Sequence, residues 1–504
     1  MDERDRTIEQ LNSQISEMEV MIQTLTDSNK ALTDSNESLT STIEGLQRTI
    51  KELQETIKEL RRQLDQNSHN SSKPPSSDGY HKPSPKSQRT KTGRKPGGQK
   101  GHRGSNMTIP HAPDEVIKHL PEKCKTCPHL AQCLQDDRIF SCAEKRYTVD
   151  AVVKTKVTEH QSLKAGNCPC GEEPGTGSFP EDVKAYVQYG DSVSVLVGLL
   201  STYGAMSAMR IHTLIGGLLG VKLSTGTVTS MVSKCAKKVG KVLQKIKKLI
   251  EAGHVGFFDE TGARTGGELH WVHNSSTDKY TYQTINKKRG KVGIDDNGVL
   301  LLFSGVAMHD CWAPYWKYER IVHAICNAHL LRELTGVEEF EPDHTWTTLF
   351  KALLRSMKKA KERAVARGKT KLSYYLLHKF SQEYDRIMEI ADSECPDPPN
   401  PPDKKQGRKK KGKERSLIER LMLLKDAVCL FIHDFKVPFD NNQAERDVRN
   451  VKTKIKVAGC FRTEKGAQDY LDVMSFLSTG QKHEISVFDA LTAAFAGNAE
   501  IVLA

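Results

Sequence analysis

His254–Gly262, HVGFFDETG, sets an acid at the end of a short apolar run. Val255, Gly256, Phe257 and Phe258 suit a buried strand, and a polar Glu-Thr-Gly turn is expected behind Asp259. A strand fixes a carboxylate while the loop after it leaves room for substrate, so such an acid can serve as the first ligand of a metal-dependent phosphoryl-transfer site. Taken alone, the same pattern describes a solvated turn or a helix cap. It recurs, however. LHWVHNSSTDKYTYQTI (269–285) reads as a hairpin around Asn-Ser-Ser-Thr-Asp, and the second apolar strand, Gly305 to Met308, again ends on an acid, Asp310. The strand RIVHAIC then runs into the helix CNAHLLREL, and VPFDNNQAERDVRN supplies an Asp/Asn cap for a helix bearing Glu445. Asp295 and Asp296 compete with Asp310 but sit in GIDDN, which reads as a helix cap.

At 504 residues the chain is too long for one core, so several modules are expected. The formal charge of +12 and isoelectric point near 9.0 favour a polyanionic partner, nucleic acid ahead of anionic membrane. No apolar stretch approaches a bilayer span, and Met1 is followed by charged residues rather than by a secretory core, so a cytoplasmic, nucleoid-associated protein is expected. In a reducing compartment, closely spaced cysteines point to metal more than to disulfides.

Residues 1–66 carry a heptad from Ile8 to Leu64, with isoleucine at the first core position, interrupted by Asn29 and Asn36, and leucine or methionine at the second. That pattern favours a parallel two-stranded coiled coil, whose buried asparagines fix register. The protein is therefore expected to be at least a dimer. From 67 to 110 Ser, Pro, Gly and Lys take over, which predicts a disordered basic linker. Arg94, Lys95, Lys100 and Arg103 belong to an acid-free stretch that either neutralises DNA phosphates or simply keeps a tether soluble. Residues 111–180 hold Cys124-x-x-Cys127 and Cys168-x-Cys170, the preferred ligands of a structural zinc site, with Cys133 and Cys142 as substitutes. Residues 181–250 read as helices. There Ser224-x-x-Thr227 caps the second arm of what is either a helix-turn-helix touching DNA or an ordinary helix pair.

Strand, hairpin, strand and then a helix carrying Glu445 is the order of an RNase H-like α/β fold, a mixed sheet with flanking helices. Three carboxylates brought together repel unless cations or protons lie between them, and an all-oxygen donor set suits Mg²⁺ or Mn²⁺. Such ions cut and join phosphodiesters.

FFDETG, GVAMHDCWAPY, CNAHLLREL and DNNQAERDVR, with the heptads, the NSSKPPSSD and KPGGQKGHRG segments and the cysteine region, resemble an insertion sequence 66 family transposase of the DDE superfamily. The resemblance covers essentially the whole chain. It implies Asp259 and Asp310 as catalytic aspartates and Glu445 as the third metal ligand. It also implies a helical insertion at 335–435 between the core's first part, 251–334, and its completing helix, 436–480, with a tail helix at 481–504. Cys326 and His329 resemble a Cys-x-x-His that supports the site in relatives, although they can equally be packing residues. The Cys-x-Cys pair departs from the family pattern. Arg446 and Arg449 are expected to steady phosphates, against the alternative of an exposed basic face. Trp312 and Tyr315 either stack on a displaced base or belong to the core.

The function so implied is binding of the inverted-repeat ends of a mobile element, with double-stranded DNA and element-encoded accessory proteins as candidate partners, followed by strand cleavage and transfer. The alternatives are an RNase H-like nuclease or resolvase that does not join, and an inactive DNA-binding regulator.

Overall fold

A computed structural model describes residues 3–67, 69–71, 111–136, 138–151, 153–164, 175–397 and 411–503. It is a mixed α/β protein. In chain order its elements are α1 (Glu3–Leu64), α2 (Glu122–Lys125), α3 (Leu130–Cys133), α4 (Asp191–Ser201), α5 (Ala208–Leu219), α6 (Thr225–Glu251), β1 (Val255–Thr265), β2 (Glu268–Ser276) and β3 (Thr281–Asn286). Then come α7 (Lys291–Asn297), α8 (Val299–Leu302), β4 (Val306–His309), β5 (Val322–Ile325), α9 (Asn327–Phe340), α10 (Trp346–Ala366), α11 (Tyr374–Glu394), α12 (Lys413–Leu423), α13 (Lys425–His433), α14 (Asn442–Ala458), α15 (Glu464–Lys482) and α16 (Val487–Phe495). Among the described residues no helix is long and apolar enough to cross a membrane. Two compact units emerge, one from residues 1–84 and 323–441, the other from 85–322 and 442–504.

In the first unit α1 is a single helix about 93 Å long at 1.5 Å per residue. Its isoleucine and leucine seam stays exposed along the whole length. The far end is anchored: Lys58 pairs with Glu341 at 2.7 Å, and Asn70 Nδ2 donates to Glu339 at 2.7 Å. Gly336 makes this possible, since a Cβ there would stand 2.1 Å from the Asn70 carbonyl oxygen. Asn70, expected from the sequence to begin a tether, is therefore buried against α9, and Ser71 is buried beside it with its hydroxyl on the Asn67 carbonyl.

The second unit carries β1 to β4, side by side in the order β3-β2-β1-β4. β1 pairs antiparallel with β2 and parallel with β4, and β2 pairs antiparallel with β3. The expected turn at Glu260–Gly262 does not exist. β1 continues to Thr265 because β2 offers partners that far, Gly262 opposite Trp271 and Thr265 opposite Glu268. The reversal falls instead at Gly266 and Gly267, whose φ angles of 59° and 88° favour glycine. The Asn-Ser-Ser segment is likewise strand, and the β2–β3 turn closes at Thr277–Tyr280, where Thr277 N donates to Tyr280 O at 2.9 Å. Asp295 and Asp296 lie inside α7 rather than capping it, with Gly290 at the N-cap.

The amphipathic α6 buries Val239, Ile246 and Ile250 under the sheet, joined by Phe258, Phe303 and Phe476, while Val228 near its start packs with Ile211 and Ile215 of α5. α15 lies along β3 and satisfies its outward donors. Thr281 N, Gln283 N and Ile285 N donate to Thr479 Oγ1, Ser475 Oγ and Gln468 Oε1 at 3.1, 3.0 and 3.1 Å. Alternate residues of a strand present their N–H groups to one side, so a helix with acceptors on the facing stripe can close an edge that would otherwise recruit another strand.

Candidate active site

Asp259 and Asp310 reach their positions through strand register. The β1–β4 pairing ends at Phe257 opposite Met308, and each aspartate lies two residues beyond its member of that pair. A two-residue step restores the same face, and neighbouring strands run about 4.8 Å apart, so the two acids stand side by side where the parallel pairing opens. The carboxyl ends of parallel strands are where open α/β sheets form ligand crevices. On its other side Asp259 remains paired, opposite Asn274. Asp259 Oδ1 accepts the Glu260 N–H at 2.9 Å, and Asp310 Oδ1 accepts the Trp312 N–H at 3.0 Å.

Glu445 is half-buried in the first turn of α14, which packs over β1 and β2. Two features hold that helix in place. The Gln283 amide donates to the Asp447 carbonyl at 3.1 Å, and buried Asp447 pairs at 3.2 Å with Lys482, which also donates to the carbonyls of Thr277 and Tyr280 in the β2–β3 turn. Two turns beyond Glu445, Lys452 Nζ donates to the Gly262 carbonyl at 2.9 Å, within the field of Asp259.

The electrostatics tie the acids together. Part of the Asp259 surface meets solvent, yet the residue sits deep in the protein mass. Desolvation first, then the charges of Glu260, Asp310 and Glu445, push its carboxyl well above the usual range. Three nearby carboxylates repel one another, which is the situation a cation or a proton relieves, although among the described residues their oxygens do not all lie within 4.8 Å of one another.

Glu260 escaped the sequence reading. Its side chain is 1% exposed, and Oε1 accepts Arg289 Nε and Nη2 at 2.9 and 2.6 Å. Oε2 accepts the Tyr315 hydroxyl at 2.7 Å. The Arg289 guanidinium lies between the rings of Trp312 and Trp271, at 4.1 and 4.8 Å. No local pattern marked it, because Arg289 and Tyr315, the partners its buried charge requires, lie in other elements. Trp312 and Tyr315 thus have protein contacts: Trp312 stacks on Arg289, and Tyr315 is buried with its hydroxyl on Glu260.

Arg446 and Arg449 are exposed on α14, and Arg446 Nη2 donates to Gln443 at 2.7 Å. Cys326 and His329 fall in the first unit, at the start of α9. Cys326 Sγ accepts the Asn441 N–H at 3.1 Å, and burial, helped by Arg332, pulls His329 down to about 3. Cys124 and Cys127 flank the end of α2, and among the described residues no third ligand gathers with them. Cys168 and Cys170, with Arg94, Lys95, Lys100 and Arg103, lie outside the described residues.

Residues 189–469, more than half of the chain and including all three acids, match the family described as Transposase IS66 family. The chain belongs to the IS66 transposase family. The match runs from just before α4 into α15, so it takes in the whole sheet and α14. Residues 4–108 match a second family, one of unknown function (DUF6444). No curated protein matches the chain.

Proposed function

We propose that this transposase grips the inverted-repeat ends of its element and performs metal-dependent strand cleavage and strand transfer at Asp259, Asp310 and Glu445. The observation that carries the reading is electrostatic. Asp259 feels Asp310 and Glu445 as neighbours although they are remote in sequence, and the repulsion is of the kind a divalent cation relieves. The strand order, with a hairpin, a parallel neighbour and a helix bearing the third acid, is that expected of an RNase H-like core.

Asp259, Asp310 and Glu445 would hold Mg²⁺ or Mn²⁺, which when bound polarises phosphate oxygens and activates a water or 3′-hydroxyl. Lys452 sets a positive charge beside Asp259, suited to a phosphate, and exposed Arg446 and Arg449 continue the basic surface of α14. The heptads would make the protein a parallel dimer. A structural zinc on Cys124 and Cys127 with Cys168 and Cys170, and DNA contact by Arg94, Lys95, Lys100 and Arg103, extend the same proposal. The reading of Cys326 and His329 as supporting residues belongs to the same proposal, through an imidazole that burial keeps neutral.

The test uses purified full-length protein and duplexes bearing the element's ends. Cleavage should require Mg²⁺ or Mn²⁺ and fall at least about 10³-fold in Asp259→Asn, as expected when an electrostatic centre of the transition state is removed. Cleavage without added cation in the presence of chelator, or undiminished in Asp259→Asn, refutes the reading. Joining of the cleaved ends to a second duplex separates a transposase from a nuclease that only cuts.

A further inference from the structure

We infer that Glu260 is a positioning residue that sets the spacing of Asp259 and Asp310, acting through Tyr315 and Arg289 rather than by touching the cation itself. The inference rests on the catalytic reading above. Glu260 follows Asp259 directly, so on an extended strand the two side chains leave opposite faces and cannot share one ion without breaking the strand. Its oxygens are committed elsewhere. Oε2 takes the hydroxyl of Tyr315, which lies in the 3-10 turn Ala313–Lys317 just after Asp310. Oε1 takes two donors from Arg289, whose guanidinium is clamped against Trp312, the residue whose N–H holds the Asp310 carboxylate. Tyr315 also stacks at 4.6 Å on His309, the residue preceding Asp310.

The segment on each side of Asp310 is thus tied to the residue next to Asp259. Beyond Phe257 and Met308 no backbone pairing joins β1 to β4, so across this gap side chains do what the ladder does elsewhere. A buried carboxylate is well suited to the task. It accepts charge-assisted hydrogen bonds from two elements at once, and removing one partner leaves a costly unpaired group. Arg289 also compensates the charge that Glu260 would add to three neighbouring carboxylates. Groups that orient metal ligands in this way change affinity about 10- to 100-fold when altered.

Calorimetric titration of Mn²⁺ into the full-length protein without DNA tests this, alongside thermal unfolding and the Mn²⁺ dependence of cleavage. Glu260→Gln and Tyr315→Phe should fold, weaken Mn²⁺ binding about 10-fold or more, and regain much of the parent cleavage rate at saturating Mn²⁺. Tyr315→Phe removes a single oxygen and decides the matter alone if Glu260→Gln does not fold. Parent-like Mn²⁺ affinity in the folded variants overturns the inference. So does a folded Glu260→Gln that is dead at every Mn²⁺ concentration like Asp259→Asn, since that marks a direct ligand. If the parent chain neither binds Mn²⁺ nor cleaves, the catalytic reading fails and takes this inference with it, whereas a parent that does both with unchanged variants sinks this inference alone.

Discussion

Asp259 is the residue where folding and chemistry conflict most directly. Its carboxyl is raised by burial and then by Glu260, Asp310 and Glu445, so it gives up its proton less readily in the folded, cation-free protein than in the unfolded chain. The sign follows from linkage. A carboxyl whose folded pKa lies above its unfolded value near 3.9 favours the folded state at low pH, and that contribution fades as pH rises through the folded value. Cation-free protein should therefore lose this contribution as pH rises from the unfolded value through the raised folded value of the Asp259 carboxyl, and Asp259→Asn should flatten that slope. Thermal unfolding of both proteins in chelator across this range checks it; parallel curves would remove Asp259 as the source. Mn²⁺ should bind more tightly as pH rises, because binding displaces the proton.

The elements show what was legible in the chain and what was hidden. Phe257–Asp259 and Val306–Asp310 announce themselves, since an apolar run ending on an acid is a local pattern, and the capped helix with Glu445 is another. The length of β1 was not local: Glu260–Gly262 has turn composition, and only pairing with β2 keeps it extended. Glu260 was hidden for the same reason, its partners Arg289 and Tyr315 lying in other elements. Nor did Gln468, Ser475 and Thr479 announce themselves, being polar residues in a helix whose purpose appears only beside β3. Their role is testable. Ser475→Ala leaves the buried Gln283 N–H without its acceptor, which costs about 1–3 kcal/mol. Chemical denaturation should show the midpoint falling with little change in slope, and Thr479→Val should act similarly through Thr281 N. A change under about 0.5 kcal/mol in both, the range of neutral surface substitutions, would mean the edge is not held by these bonds.

At the scale of the molecule, the seam of α1 is an exposed apolar surface that the fold leaves to a partner helix. Ile8, Leu11, Ile43, Leu46, Ile50 and Leu53 are each 52–57% exposed, an apolar stripe that repeats every seven residues and is left uncovered by the described residues. An isolated helix of this length gains little from propensity alone, so its stability should come from burying that stripe against a like helix. Asn29 and Asn36 interrupt the isoleucine positions in mid-helix, and in a parallel pair they meet their own counterparts, which fixes register at some cost in stability. Full-length protein should sediment as a dimer at micromolar concentration. Leu39→Lys with Leu46→Lys, which place like charges in the seam, should give monomer while leaving the thermal transition of the sheet-bearing unit in place. Asn29→Ile with Asn36→Ile should raise the dissociation temperature and broaden the distribution of oligomers. A monomeric parent chain, or a dimer indifferent to lysines in the seam, would place self-association elsewhere and leave the heptads to bind a different helix.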